Sequence, residues 1–476
     1  MLIDKALTGL ARNPALPEHL LRRLLDHQEA CGEAARRRTD LTEELTDGIL
    51  AFGDDWRALS LACNPELPPA VRRTLAGHAD DMVRSALASR APGLSGDVFA
   101  ALAEDPSAKV RTDVARNGDT PPAIRARLAD DPDPAVRIEL AQWWVEAPED
   151  VRRTLLTDED PKVRAAACST YFRRTPHPVP PADLHAALLA DPVTRAGAVR
   201  HVALDAALAK ELAEDPDDDV RAAFAAHPDL PAGLRDALAQ DASPLVRAEI
   251  FVREDTPEEQ RASIHKELTD GADRGDAAFA VTEEDLLCQL ALTGLTFRDI
   301  PWIRADPLPH VDSPYACFRR SAAASRDLPA EAVGRLLEDE DNSVRHTMAA
   351  HAPALSPEAA ERVERRHQRS KVRGRPADHT TFPPETLRRF ATDADPRIRA
   401  LAPRDPDLPA ALAARLAADD DHLVRREVAP HPNLPVAALR ALLADGDEEE
   451  SVVTAAASSP ALPVEAMEEL LAQAGL

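Results

Sequence analysis

A short repeat held in phase over most of the chain constrains this sequence more than any other feature. Val-Arg recurs at Val83-Arg84, Val110-Arg111, Val136-Arg137, Val163-Arg164, Val220-Arg221, Val246-Arg247, Val344-Arg345 and Val424-Arg425, with Ile398-Arg399 as a variant. Adjacent members lie about 26 residues apart, and an Asp stands five residues before all but the first, from Asp105 to Asp419. A Pro-x-Leu-Pro hinge starts at Pro14, Pro65, Pro228, Pro406, Pro432 and Pro460. In the unit around Val220, Asp215 is placed to cap a helix that Pro216 opens, because a missing N–H costs nothing there. Val220 and Phe224 share one face, Pro228 stops the helix, and Pro231 opens a second one carrying Leu234 and Leu238. Each helix has only two or three turns and is marginal alone in water. Stacking against neighbouring units is what such pieces require.

The run Val-Arg-x-x-Leu-Ala-x-x-Pro-x-Leu-Pro-x-x-Leu resembles the leucine-rich repeat variant family, and more loosely the HEAT-like α-solenoids, over most of the chain. The resemblance implies an all-α, elongated, right-handed solenoid of two-helix repeats, alternating α with short or 3₁₀ helices. One member of that family binds an iron–sulfur cluster through clustered cysteines near its N-terminus. Here that region holds only Cys31 and Cys63, so neither the cluster nor any other cofactor is expected.

Breaks in the phase suggest an organisation. Residues 1–254 read as an N-terminal array, irregular at 26–55 (with a helix expected over 40–50) and at 176–210, where a local kink or shorter helices are expected. Residues 255–315 read as an insertion, with an acidic helix expected from Glu283 to Leu292 and a Pro-rich loop around Trp302. The array resumes at Phe318-Arg319 and fills 316–476, with a basic interruption at 362–380 and an acidic loop from Asp447 to Glu450.

Composition narrows the function. The formal charge of −26 disfavours a general nucleic-acid binder, which needs clustered cations to neutralise phosphates, and suits solubility or a basic protein partner. Five scattered cysteines give neither a disulfide framework nor a paired metal spacing. Together with Arg far in excess of Lys, they point to a reducing bacterial cytoplasm. No segment has the uninterrupted apolar length of a membrane span.

Candidate sites are few. Arg84, Arg111, Arg137, Arg164, Arg221, Arg247, Arg345, Arg399 and Arg425 form a ladder that either binds anions or, as the Asp in register favours, bonds carboxylates and carbonyls of the array. Trp143 and Trp144 occupy a hinge turn in a chain with only 3% aromatic residues. Trp302 lies in the insertion, and the basic interruption carries Arg365, Arg366, Arg369, Lys371 and Arg373. Catalytic sets are thin: Cys168 stands near Tyr171 and His177 in sequence, His27 and Cys31 have metal-ligand spacing without a second pair, and His227 and His431 belong to hinges. The expectation is a non-enzymatic scaffold for another protein, docking at its interruptions and at Trp143, Trp144 and Trp302. The alternative is a nucleic-acid-associated solenoid using 362–375 and the Arg ladder. A third class, an enzyme on HEAT-like repeats, finds no site in the sequence.

Overall fold

The computed structural model describes residues 2–90, 93–168, 178–273, 300–352, 355–367, 375–444 and 451–476. Among them every regular element is a helix, α or 3₁₀, and none is a strand. They form two compact units, Met1–Arg125 with Thr381–Leu476, and Ala126–Thr380. The expected helix at Glu283–Leu292 and the loop at Asp447–Glu450 lie outside the described residues.

The repeat is two helices. Around Val220 they are Asp218–Ala225 and Ala232–Leu238, the second following Pro231. The cap expected at Asp215 falls two residues later: the Asp217 carboxylate accepts from Asp219 N–H. Asp215 instead accepts from Asp217 N–H at 2.9 Å, an Asx turn that sets the chain for the helix, so Pro216 belongs to that turn. Where a proline does open a helix it directly follows the cap, as Pro134 follows Asp133 and Pro396 follows Asp395. Every anchor from Val83 to Val424 is buried, and so are hinge residues Leu16, Leu67, Leu230, Leu408, Leu434 and Leu462. Each fully buried aliphatic side chain contributes about 1.5–3 kcal/mol, which these short helices cannot gain alone.

Hinge residues also join one repeat to the next. The side-chain amide of Asn64 donates to Ala35 O and Arg38 O of the preceding repeat while its oxygen accepts from Glu66 N–H. His227 fills the same slot, with Nδ1 accepting from Asp229 N–H and Nε2 against Val202 O at 3.1 Å, so the proton sits on Nε2. His431 repeats the arrangement on Asp405 O and Asn433 N–H. Arg38 and Arg253 occupy this slot too, donating to Ala11 O and Asn13 O, and to Ala225 O and His227 O.

In the first unit the helices Leu2–Arg12, Gln28–Arg37, Asp55–Ala62, Asp81–Arg90 and Ala108–Arg116 pack each on the next. Residues 26–55, irregular in sequence, thus carry a full repeat: Gln28–Arg37 lies between its neighbours and is followed by Glu43–Leu50, capped by Thr42. The same unit contains a contact that no local pattern announces. Leu2–Arg12 packs on Ser451–Ala457, and Glu18–Leu24 on Val464–Gln473, so the first repeat is stacked on the last.

In the second unit the stack runs from Pro134–Trp143 through Pro161–Cys168, Arg195–Val199 and Asp218–Ala225 to Pro244–Phe251. Helices are short between 182 and 199, after the Pro-dense 178–181 and before a hinge at 201–205 that has lost its prolines. The helix Glu258–Asp273 completes the repeat of Val246, residues 274–299 lie outside the described residues, and the described chain resumes at Ile300. Aromatic rings from either side of that interval meet: Phe251 lies 5.1 Å from Tyr315 and 5.3 Å from Phe318, and Phe318 meets Trp302 edge-on at 5.6 Å. Edge-to-face pairs of this kind add about 0.5–1.5 kcal/mol beyond area burial. Tyr315 Oη also donates to Glu258 at 2.7 Å, pinning the helix Glu258–Asp273 across the same interval.

Candidate functional site

The ladder arginines face the array. Each sends Nη1 to the backbone carbonyl six residues back, as Arg111 does to Asp105 O at 2.8 Å, Arg247 to Asp241 O at 2.5 Å and Arg425 to Asp419 O at 2.7 Å. Arg84, Arg137, Arg164, Arg221 and Arg399 also reach the Asp of the following repeat: Asp105, Asp158, Asp191, Asp241 and Asp419, at 2.6–2.8 Å. Arg345 turns to Asn342 and Arg366 O, and Arg247 stands 3.9 Å from Glu267. Arg319 makes the same bridge to Asp339 at 2.7 Å. It was absent from the sequence ladder because Phe318 replaces the anchor valine. Burial alone would raise the Asp241 carboxyl. The Arg221 hydrogen bond, Ser243 N–H and the Arg221 and Arg247 charges outweigh it and hold the group below its ordinary range. A planar guanidinium meets both carboxylate oxygens, a fit that Lys does not reproduce.

The basic interruption is engaged where it is described. Arg362 and Arg366 both pair with Glu338, at 2.9 and 2.7 Å, Arg365 pairs with Glu361, and Arg375 pairs with the buried Glu364. Arg369, Lys371 and Arg373 lie outside the described residues. Trp143 and Trp144 are half-buried, and Trp144 lines a small cleft with Leu155, Leu156 and Cys168. The Cys168 thiol faces Thr194 O, and burial pushes its pKa up to about 12, leaving little thiolate at neutral pH. Tyr171 and His177 lie outside the described residues. His27 caps the helix Gln28–Arg37 and meets Asp4 at 3.2 Å. Among the described residues no three His, Cys, Asp or Glu converge as a metal site, and no helix is long and apolar enough to cross a membrane.

Trp302 is different. It lies on a short helix, Pro301–Ala305, where a Pro-rich loop was expected, and it lines a cavity of about 450 Å³ in the second unit. The indole N–H donates to Val252 O at 3.0 Å and the ring packs edge-on against His310 and Phe318. Facing it are Pro228, Glu249 and the run Arg253-Glu254-Asp255. Glu249, on the helix Pro244–Phe251, is 3% exposed. Burial raises its carboxyl to about 7, against the pull of the Arg200 and Arg253 guanidiniums, and Arg200 stands 3.7 Å away. Arg253 is tied to two carbonyls and to Asp255 at 2.7 Å. Glu254 and Asp255 are exposed. Sequence reading singled out Trp302 but not its three carboxylates; the signal was Glu-Asp directly after an Arg in the hinge slot.

The chain is similar to a solved leucine-rich repeat variant with a novel repetitive structural motif, at 24% identity over 47% of this chain and 84% of that one, with a TM-score of 0.35. It is also similar to Kap121p, solved bound to RanGTP, at 12% identity over 99% of this chain and 50% of that one, with a TM-score of 0.19. No family model and no curated protein matches it.

Proposed function

We propose that this helical-repeat protein is a non-enzymatic scaffold that holds another protein, with docking concentrated where the array is interrupted. The observation that carries the reading is the cavity beside Trp302 in the second unit. In the regular repeats the ladder arginines and hinge residues serve the stack itself, whereas the cavity brings an indole and three carboxyl groups to one opening. Trp is enriched among residues that dominate binding energy. The charge of −26 suits a basic partner. It disfavours nucleic acid, since a phosphate at Arg84, Arg137, Arg164, Arg221 or Arg399, or at Arg362, Arg365, Arg366 and Arg375, has to displace a carboxylate already in place. Trp143, Trp144 and the segment 362–380 are secondary docking positions. The Arg-rich, Lys-poor composition and scattered cysteines suit a bacterial cytoplasm.

Site-directed photocross-linking in the native cell tests this. A photoreactive residue at position 254 is expected to capture partner protein well above one at position 159, an exposed site on a regular repeat. Equal yields at the two positions would place recognition on the repeat faces instead.

A further inference from the structure

We infer that the Trp302 cavity receives a cationic side chain of the partner, a guanidinium or ammonium on an alkyl stem; this rests on the scaffold reading. The walls hold three carboxyl groups, Glu254, Asp255 and Glu249, the last about half protonated near pH 7, against one guanidinium, Arg253, which is already bonded to Asp255 and two carbonyls. Arg200 stands 3.7 Å from Glu249, and Arg235, itself paired with Asp236, stands 3.5 Å from Asp255, so exposed Glu254 carries most of the acidity of the lining. An anion would meet carboxylates, and a purely apolar group would bury Glu249 further from water at a cost. A cation on a long stem satisfies both parts of the wall. Its methylenes lie along Val252, Pro228 and the indole, and its head meets the carboxyl groups of Glu254 and Asp255.

The volume falls within the range of pockets that enclose small ligands, about 300–1,000 Å³. Exposed Glu254 and Asp255 lie on the approach, and buried Glu249 lies deeper. That order suits a side chain entering from a bound polypeptide. It also gives selectivity, because a neutral stem gains the apolar wall and none of the charge.

The test uses the full chain and three probes, read by tryptophan fluorescence, with Trp302→Phe to assign the signal. The probes are a five-residue glycine peptide with central arginine, the same peptide with norleucine, and a free alkylguanidine. The arginine peptide should bind saturably and at least about tenfold more tightly than the norleucine peptide, and Glu254→Gln should erase a large part of that difference. Equal binding of both peptides, or no saturable change with arginine, would overturn the proposal. Binding of the free alkylguanidine alone would also overturn it, because it points to a small-molecule site. Circular dichroism of Trp302→Phe and Glu254→Gln shows whether each variant is folded. The two readings fail separately: partner capture at position 254 without cation selectivity leaves the scaffold standing, and cation selectivity without capture leaves only the cavity.

Discussion

Asn13 donates through its side-chain amide to Ser459 O at 2.7 Å and to Ala457 O at 3.1 Å, joining the first repeat to the last. The geometry is that of consecutive repeats: Arg38 reaches Ala11 O and Asn13 O, and Arg253 reaches Ala225 O and His227 O. The first repeat therefore docks on the last as a successor would. Gly9 permits the close approach, since a Cβ there would collide with Thr454 O and the Ala457 side chain. Arg23 adds a bond to Leu476 O at 2.8 Å.

Asn13→Ala removes two donors from buried carbonyls and the acceptor for Ala15 N–H. A loss of about 2–3 kcal/mol is expected in urea unfolding, and Gly9→Leu should cost more through overpacking. A loss below about 0.5 kcal/mol for both variants would mean that the contact contributes little to the fold.

The Arg–Asp bridges set a second expectation. Asp241→Ala leaves the half-buried Arg221 facing an empty partner site and should destabilise by about 2–4 kcal/mol; Arg221→Lys should recover only part of the bridge. Asp105, Asp158, Asp241 and Asp419 are all held below the ordinary carboxyl value of 3.8. Their unfolded forms titrate near that value, so the contribution is whole above it and is lost as pH falls through the lower folded values. Acid unfolding should steepen below about pH 4, and Asp241→Asn should flatten it.

Glu249 carries the opposite sign. Its folded carboxyl titrates at about 7 against an ordinary 4.5, so the folded chain binds this proton more tightly than the unfolded one. The resulting stability is complete below 4.5 and is lost as pH rises toward 7. Glu249→Gln should therefore be more stable than the parent at pH 8, by up to about 3 kcal/mol, and indistinguishable near pH 4. Denaturant titrations at the two values decide it; no gain at pH 8 would mean that the folded carboxylate is already satisfied.

Much of this fold was legible from periodicity, because the anchor valines and hinge leucines must stack and do. The repeat chemistry was half legible. Asp five residues before Val pointed to a pair with the neighbouring Arg, but Arg221 takes the carbonyl of Asp215 and the carboxylate of Asp241, one repeat on. A one-dimensional pattern gives register and leaves open which neighbour is bridged. Residues 26–55 hid a complete repeat because Ala and Cys fill the seam there instead of Val. The Asn13–Ser459 contact and the meeting of Glu249 with Trp302 depend on how distant segments come together, and neither has a local signature. Donor side chains precede the hinge prolines at Asn13, Asn64, His227 and His431, but in the sequence the histidines read only as hinge residues, and the bonds these side chains make to the neighbouring repeat appear only once the repeats are stacked.

Stacking and docking should be separable in one comparison: affinity for the cross-linked partner beside thermal stability, for Glu254→Lys and Arg221→Ala. Glu254 is exposed on the cavity wall, so reversing its charge should weaken the partner by about tenfold or more and change stability by no more than about 0.5 kcal/mol. Arg221→Ala breaks a bridge within the array and should lower the melting temperature, with affinity, measured well below that temperature, unchanged within about twofold. Unchanged affinity in Glu254→Lys together with lost affinity in Arg221→Ala would contradict docking at the Trp302 cavity and place recognition on the ladder face.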